Sequence, residues 1–110
     1  MKIEPVQGQH DGVRVLKLIG PFTLSTMFDF QTLIREHVAP TTLIDLSAVP
    51  YMDSASLGAL LGFHVSCQRE GRKYAIIAPS NRLKTLFKVA GVEGILTTYD
   101  SVEAAEAGLK

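Results

Sequence analysis

Apolar residues change their spacing repeatedly along this chain, and each change marks an element. The opening run KIEPVQ reads as a strand; Pro5 cannot donate to a ladder, so the strand belongs at an edge. Asp11-Gly12 predicts a tight hairpin turn into VRVLKLIG, which makes the first two strands antiparallel. From Ser25 to Val38 the apolar residues fall at 27, 30, 33, 34 and 38, a helical period. TTLIDLS, Thr41 to Ser47, is a short β-branched and apolar strand. The pattern turns helical from Ser54 to Arg69 and extended from Lys73 to Ala78. Ser80 then caps a third helix, with Leu83, Leu86, Phe87 and Ala90 on one side and Gly91 just past its end. GILTTY predicts a last strand, and DSVEAAEAGL a closing helix with Asp100 and Glu103 at capping-box spacing.

Two strands and a helix, followed by strand and helix in alternation, predict parallel strands covered by helices. The expected fold is a small open α/β domain with a mixed, mostly parallel sheet of about five strands and about four helices. A length of 110 residues suits one domain, 1–110, with a real hydrophobic core. Apolar residues at 46% and charged residues at 20% exclude disorder. Lys plus Arg and Asp plus Glu both total 11, which removes the basic excess that nucleic-acid binding needs. One cysteine, Cys67, permits no internal disulfide and fits a reducing compartment. The N-terminus lacks a signal-peptide core, and no apolar stretch is long enough to insert in a membrane. A cytoplasmic location is therefore expected.

The stretch VPYMDSASLGALLGF, Val49 to Phe63, sets the functional question. Asp53 or Ser54 can cap the helix that follows. Its core-facing set is expected to be Leu57, Leu60, Leu61, His64 and the stem of Gln68, with Phe63 and Cys67 on the flank. Opposite them Ala55, Gly58, Ala59, Gly62 and Ser66 form a stripe with almost no side chain. Two mid-helix glycines cost roughly 2 kcal/mol relative to alanine, and a solvated face gives no return for that. Either another element of the domain packs closely there, or another protein's backbone approaches. Free N–H groups at the helix start also favour an anion, such as a phosphate on Ser54 or Ser56. The plainer role for both serines is capping.

Catalytic sets are not found. Neither a G-x-S-x-G elbow nor a G-x-x-x-x-G-K-[ST] loop occurs. His64 and Cys67 lie three apart on one helix, the only handle for a nucleophilic enzyme, but both should point inward. His10 and His37 have no ligand-like spacing around them, so no metal is expected. Asp45 and Asp53 could approach one another, yet the companions of a phosphoryl-accepting aspartate are missing. No catalytic residue and no cofactor is expected.

LIDLSAVPYMDSASLGALLGF resembles the central motif of STAS domains, specifically the bacterial anti-sigma factor antagonists, in which D-S-S-G-L-G opens a helix. The likeness extends to LIGPFTL (Leu18 to Leu24), to GRKYAIIAPSNRLKTLFKVAGVEGILTTYDSVEAAEAGL and to the order of elements. It implies a non-enzymatic domain that binds an anti-sigma factor, a serine kinase of the GHKL type, and so releases a sigma factor. It also implies a switch, because phosphorylation of a serine in D-S-S-G turns binding off in that family. Aligned without a gap, Asp53, Ser54, Leu57 and Gly58 match the motif. The phosphorylated serine falls at Ala55, and the first glycine at Ser56. The expected partner surface is Asp53, Ser54, Ala55, Ser56, Gly58, Ala59, Gly62 and Ser66. Alanine has no hydroxyl, so an unswitched binder is expected. Should phosphate be added, Ser56 is the expected acceptor, with Ser54 held as a cap. The alternatives are a STAS domain serving a signalling complex, lipid transport or transporter regulation, and a small enzyme using His64 and Cys67.

Overall fold

Strand pairing follows chain order. A computed structural model describes residues 1–7, 11–36 and 38–109. Its strands are β1 (Lys2–Gln7), β2 (Val13–Ile19), β3 (Thr41–Ala48), β4 (Lys73–Ile77) and β5 (Thr98–Tyr99), arranged β1-β2-β3-β4-β5 in one sheet. β1 is antiparallel to β2, and the remaining pairs are parallel. Pro5 sits on edge strand β1 opposite Leu16, the placement in a sheet that a residue without an N–H tolerates.

The helices are α1 (Met27–Glu36), α2 (Ser54–Glu70), α3 (Asn81–Val89) and α4 (Val102–Gly108). Right-handed crossovers that always step in one direction place their helices on one face. Accordingly Phe30 of α1, Leu60 and Phe63 of α2 and Leu83 and Phe87 of α3 pack with Leu16, Leu18, Ile44, Leu46 and Ile76 of the sheet. The opposite face receives only α4, whose Ala105 packs with Val15, Leu43, Ala75 and Ile77.

Several elements differ from expectation. α1 starts at Met27, two residues late, because the loop before it uses its own hydroxyls. Thr26 Oγ1 accepts from the Thr23 N–H and donates toward Pro21 O, a local pattern that competes with helix. The Asp11-Gly12 turn lies in a longer connection, since the register pairs Gln7 with Arg14; residues 8–10, His10 among them, fall outside the described residues, as does His37. β5 is only Thr98–Tyr99, because Ile95 and Leu96 turn back to bond Val92 O and Leu96 plugs the core. α4 is capped by Ser101, which accepts from Ala104 N, so the cap falls one residue after Asp100 and the expected Asp100–Glu103 box does not form. Ser80 caps α3 as expected, accepting from Leu83 N, but Ala90 is exposed and Val92 takes its place in the core.

The largest correction concerns α2. Its buried residues are Ser56, Leu57, Ala59, Leu60, Phe63 and Cys67. Leu61 and His64 are half-buried and Gln68 is exposed. The helix is therefore turned by about one residue, about 100°, from the expected orientation. Ala59 lies against the core rather than on the outer stripe.

Candidate functional site

The carboxyl end of the sheet is where the loops before α1 and α2 meet. Pairing between β2 and β3 continues past the strands: Gly20 N bonds Ala48 O at 3.0 Å and Phe22 N bonds Tyr51 O at 3.1 Å. The two loops thus descend side by side onto the start of α2. Asp53 is its N-cap, with Oδ1 accepting from Ser56 N at 2.9 Å. Ser56 completes the box by accepting from Asp53 N at 3.1 Å and donating to Asp53 O at 2.9 Å.

The second carboxylate oxygen of Asp53 accepts from Leu24 N at 2.9 Å, tying the β2–α1 loop to the start of α2. These N–H donors, Ser56 first and Leu24 second, hold the Asp53 carboxyl below its ordinary value of 3.8. For a depressed carboxylate, the stabilisation is complete above 3.8 and lost as pH falls through the lower folded value. The Leu24 and Ser56 amide resonances should therefore titrate together with Asp53 below that pH. A Leu24 amide indifferent to Asp53 would remove the tether.

The two hydroxyls differ in exposure. Ser54 is exposed, whereas Ser56 is 0% exposed with its hydroxyl spent on the cap. Ser56 cannot present that oxygen without dismantling the box. Ala55 and Ser66 are half-buried, and Gly58 and Gly62 are exposed. A Cβ added at either glycine would meet nothing within 4 Å, so among the described residues no element packs closely there.

Three exposed apolar residues that sequence reasoning missed belong to the same end of the molecule. Leu24 and Phe28 are 56% and 61% exposed, and Tyr51 precedes the cap with the Arg82 guanidinium 5.6 Å above its ring. Phe28 stood outside the apolar period of its helix, which was the available signal. Together the site offers an apolar rim, a tethered loop and a helix face that admits a backbone.

The other candidate chemical groups are engaged elsewhere in the fold. His64 Nδ1 is hydrogen-bonded to the Tyr74 hydroxyl at 2.8 Å. Cys67 is buried, and burial pushes its thiol pKa up, with Arg72 opposing only in part. A neutral thiol beside an occupied imidazole is not an activated pair. Asp45 Oδ1 accepts from Ser47 N at 2.9 Å, so it and Asp53 each serve backbone turns. Among the described residues no three His, Cys, Asp or Glu side chains gather as a metal site, and no helix is long and apolar enough to cross a membrane.

Comparison with known proteins matches the STAS domain family over residues 4–105. The chain belongs to the STAS domain family. An anti-sigma-B factor antagonist of Staphylococcus aureus is 23% identical over 82 residues, 74% of this chain and 76% of the relative. A Thermotoga maritima protein assigned as an anti-sigma factor antagonist superposes with a TM-score of 0.85 at 19% identity, over 97% of this chain and 92% of that one. The unphosphorylated anti-sigma factor antagonist SpoIIAA gives 0.76 at 16%, over 96% and 95%. A sulfate transporter family protein of Wolinella succinogenes gives 0.77 at 22%, over 89% and 84%. At these identities the structural likenesses establish the fold.

Proposed function

We propose that this domain is an anti-sigma factor antagonist, a non-enzymatic module that captures an anti-sigma factor of the GHKL serine-kinase type. The observation that carries the reading is the start of α2. Gly58 is exposed with open space above it, beside a loop that Asp53 ties down and that exposes Leu24 and Phe28. Such a face accepts a partner's backbone at low cost in rearrangement. Its partner surface comprises Asp53, Ser54, Ala55, Gly58, Gly62 and Ser66, with Leu24 and Phe28 added; the sides of Ser56 and Ala59 are turned inward. Ala55 leaves it without the family's usual acceptor, so binding is unswitched. Any phosphate that a kinase transfers to this helix goes to Ser54, the exposed hydroxyl.

The purified domain should form a complex with such a kinase on mixing, in the presence of nucleotide. Gly58→Arg should weaken it at least about 30-fold, the effect of a lost hot spot, while leaving the melting temperature nearly unchanged. No complex with or without nucleotide would sink the assignment; unchanged affinity in the variant would move the interface elsewhere. The likeness to a sulfate transporter family protein favours a second reading, a STAS domain serving a transport assembly. Capture of a transport protein in place of a kinase would establish it.

A further inference from the structure

Charge is balanced over the whole chain but unevenly placed along it. Residues 54–92 hold six Lys or Arg and one acid, Glu70. Glu70 is taken by Arg72 Nη2 at 3.0 Å, and Lys73 Nζ donates to Leu109 O at 2.7 Å. Arg69, Arg82, Lys84 and Lys88 remain, all exposed and, among the described residues, outside any ion pair. Arg82 even occupies the first turn of α3, where the helix dipole opposes a positive charge. Helix stability therefore does not account for these cations, and a negative partner does.

The same two helices leave apolar residues uncovered along their seam. α2 and α3 follow neighbouring parallel strands and cover one face of the sheet, so they run side by side. Gly58, Gly62, Ser66 and Glu70 line the flank of α2 toward α1, and helical spacing puts Leu61 and Val65 on the flank toward α3. On α3, Lys84 lines a small hollow with Thr98 and so marks the β5 side. Leu86 and Val89 take the other side together with Arg82, whose guanidinium lies 5.6 Å above the Tyr51 ring just before α2. Half-buried Leu61 and Leu86 floor the seam; Val65 and Val89, 57% and 81% exposed, form its lips. Arg82 stands at one end, and Arg69 follows Val65 by one turn toward the other. A seam between parallel helices is concave and takes a third helix, whereas a flat bilayer touches only its crests. A phosphate backbone would meet leucine and valine where it needs cations.

We propose that the seam between α2 and α3 docks an acidic amphipathic helix of a partner protein, with its apolar stripe over Leu61, Val65, Leu86 and Val89 and its carboxylates on Arg82 and Arg69. This flank is separate from the glycine flank of α2 and does not depend on the anti-sigma factor reading. The probe is a helical peptide of about 16 residues with leucines at i, i+3, i+4 and i+7 and glutamates elsewhere. Titrated into the labelled protein, it should shift the Leu61, Val65, Leu86 and Val89 methyl resonances along one saturating curve. The same peptide with lysine for glutamate should bind at least about tenfold more weakly. The double variant Arg69→Glu/Arg82→Glu should lose about tenfold in affinity. An acid in the first turn of α3 suits the helix dipole, so the fold persists. Val89→Asp, at an exposed position, should also weaken binding about tenfold. Absent shifts, or shifts along the Gly58–Gly62 flank, would overturn the site. Equal binding of the two peptides would overturn the acidic partner, and undiminished binding in both variants would overturn the seam. A short DNA duplex or anionic vesicles binding these residues more tightly than the peptide would overturn the helical occupant.

Discussion

Replacing Phe30 by alanine is expected to cost about 3–5 kcal/mol, the range for a large aromatic side chain removed from a packed core. Phe30 is the buried residue of α1, so the helix has no second anchor of that kind. Its ring lies 5.2 Å from Phe22 and 6.2 Å, edge-on, from Phe63, whose ring in turn lies 5.7 Å from Tyr74. The chain of rings joins the β2–α1 loop, both helices and β4. A domain of this size loses about 4–8 °C of melting temperature per kcal/mol, so a fall of at least about 12 °C is expected. Amide exchange in α1 should accelerate more than exchange in α3. A fall of only a few degrees, with α1 still protected, would show that the partly buried Leu33 and Ile34 suffice.

The second large effect separates two serines only two residues apart. Ser56→Asp places a carboxylate where the side chain is fully buried and against the Asp53 cap. An uncompensated buried charge costs about 3–5 kcal/mol, and the new group also repels its neighbour. The capping box is lost in the same step. Ser54→Asp adds the same charge to an exposed first-turn position, where the free N–H groups of a helix start favour it. Its melting temperature should hardly move. Paired melts of the two variants check this directly: equal, small shifts would mean that Ser56 reaches solvent. The contrast also bears on phosphorylation, since a kinase would have to open the start of α2 to reach Ser56 but not to reach Ser54.

Much of the architecture was legible in the pattern of the chain. Edge strand β1 followed from Pro5, and the α3 cap from Ser80, because each rests on one residue's covalent chemistry. The errors arose where tertiary packing arbitrates between near-equal local choices. On α2, Leu57, Leu60 and Leu61 suggested one apolar face, but Phe63 and Cys67 prevailed because they complete a face with Ser56 and Ala59 against the sheet. Small residues are ambiguous in this respect. The same alanine can floor a groove or pack against the core, and only the rotation of the helix decides. Asp53 was among the expected caps, but its box with Ser56 was not foreseen, because a serine three residues past the aspartate completes a box only if the helix starts at Ser54. The exposed Leu24 and Phe28 gave a weak signal, since single apolar residues on a surface are ordinary.

Because each strand lies beside its predecessor in the chain, no pairing in this sheet waits for a segment still to come. The β1–β2 hairpin can form first, and each later strand, delivered by its helix, finds a ready template at the growing edge. Loop-closure entropy is met in small instalments, and ribosomal synthesis supplies the pieces in the order of use. Truncations from the C-terminus should accordingly leave nascent chains that protect β1 to β3 before β5 exists. A stalled chain of this kind would expose Val15 and Leu43, which α4 helps to cover in the finished molecule.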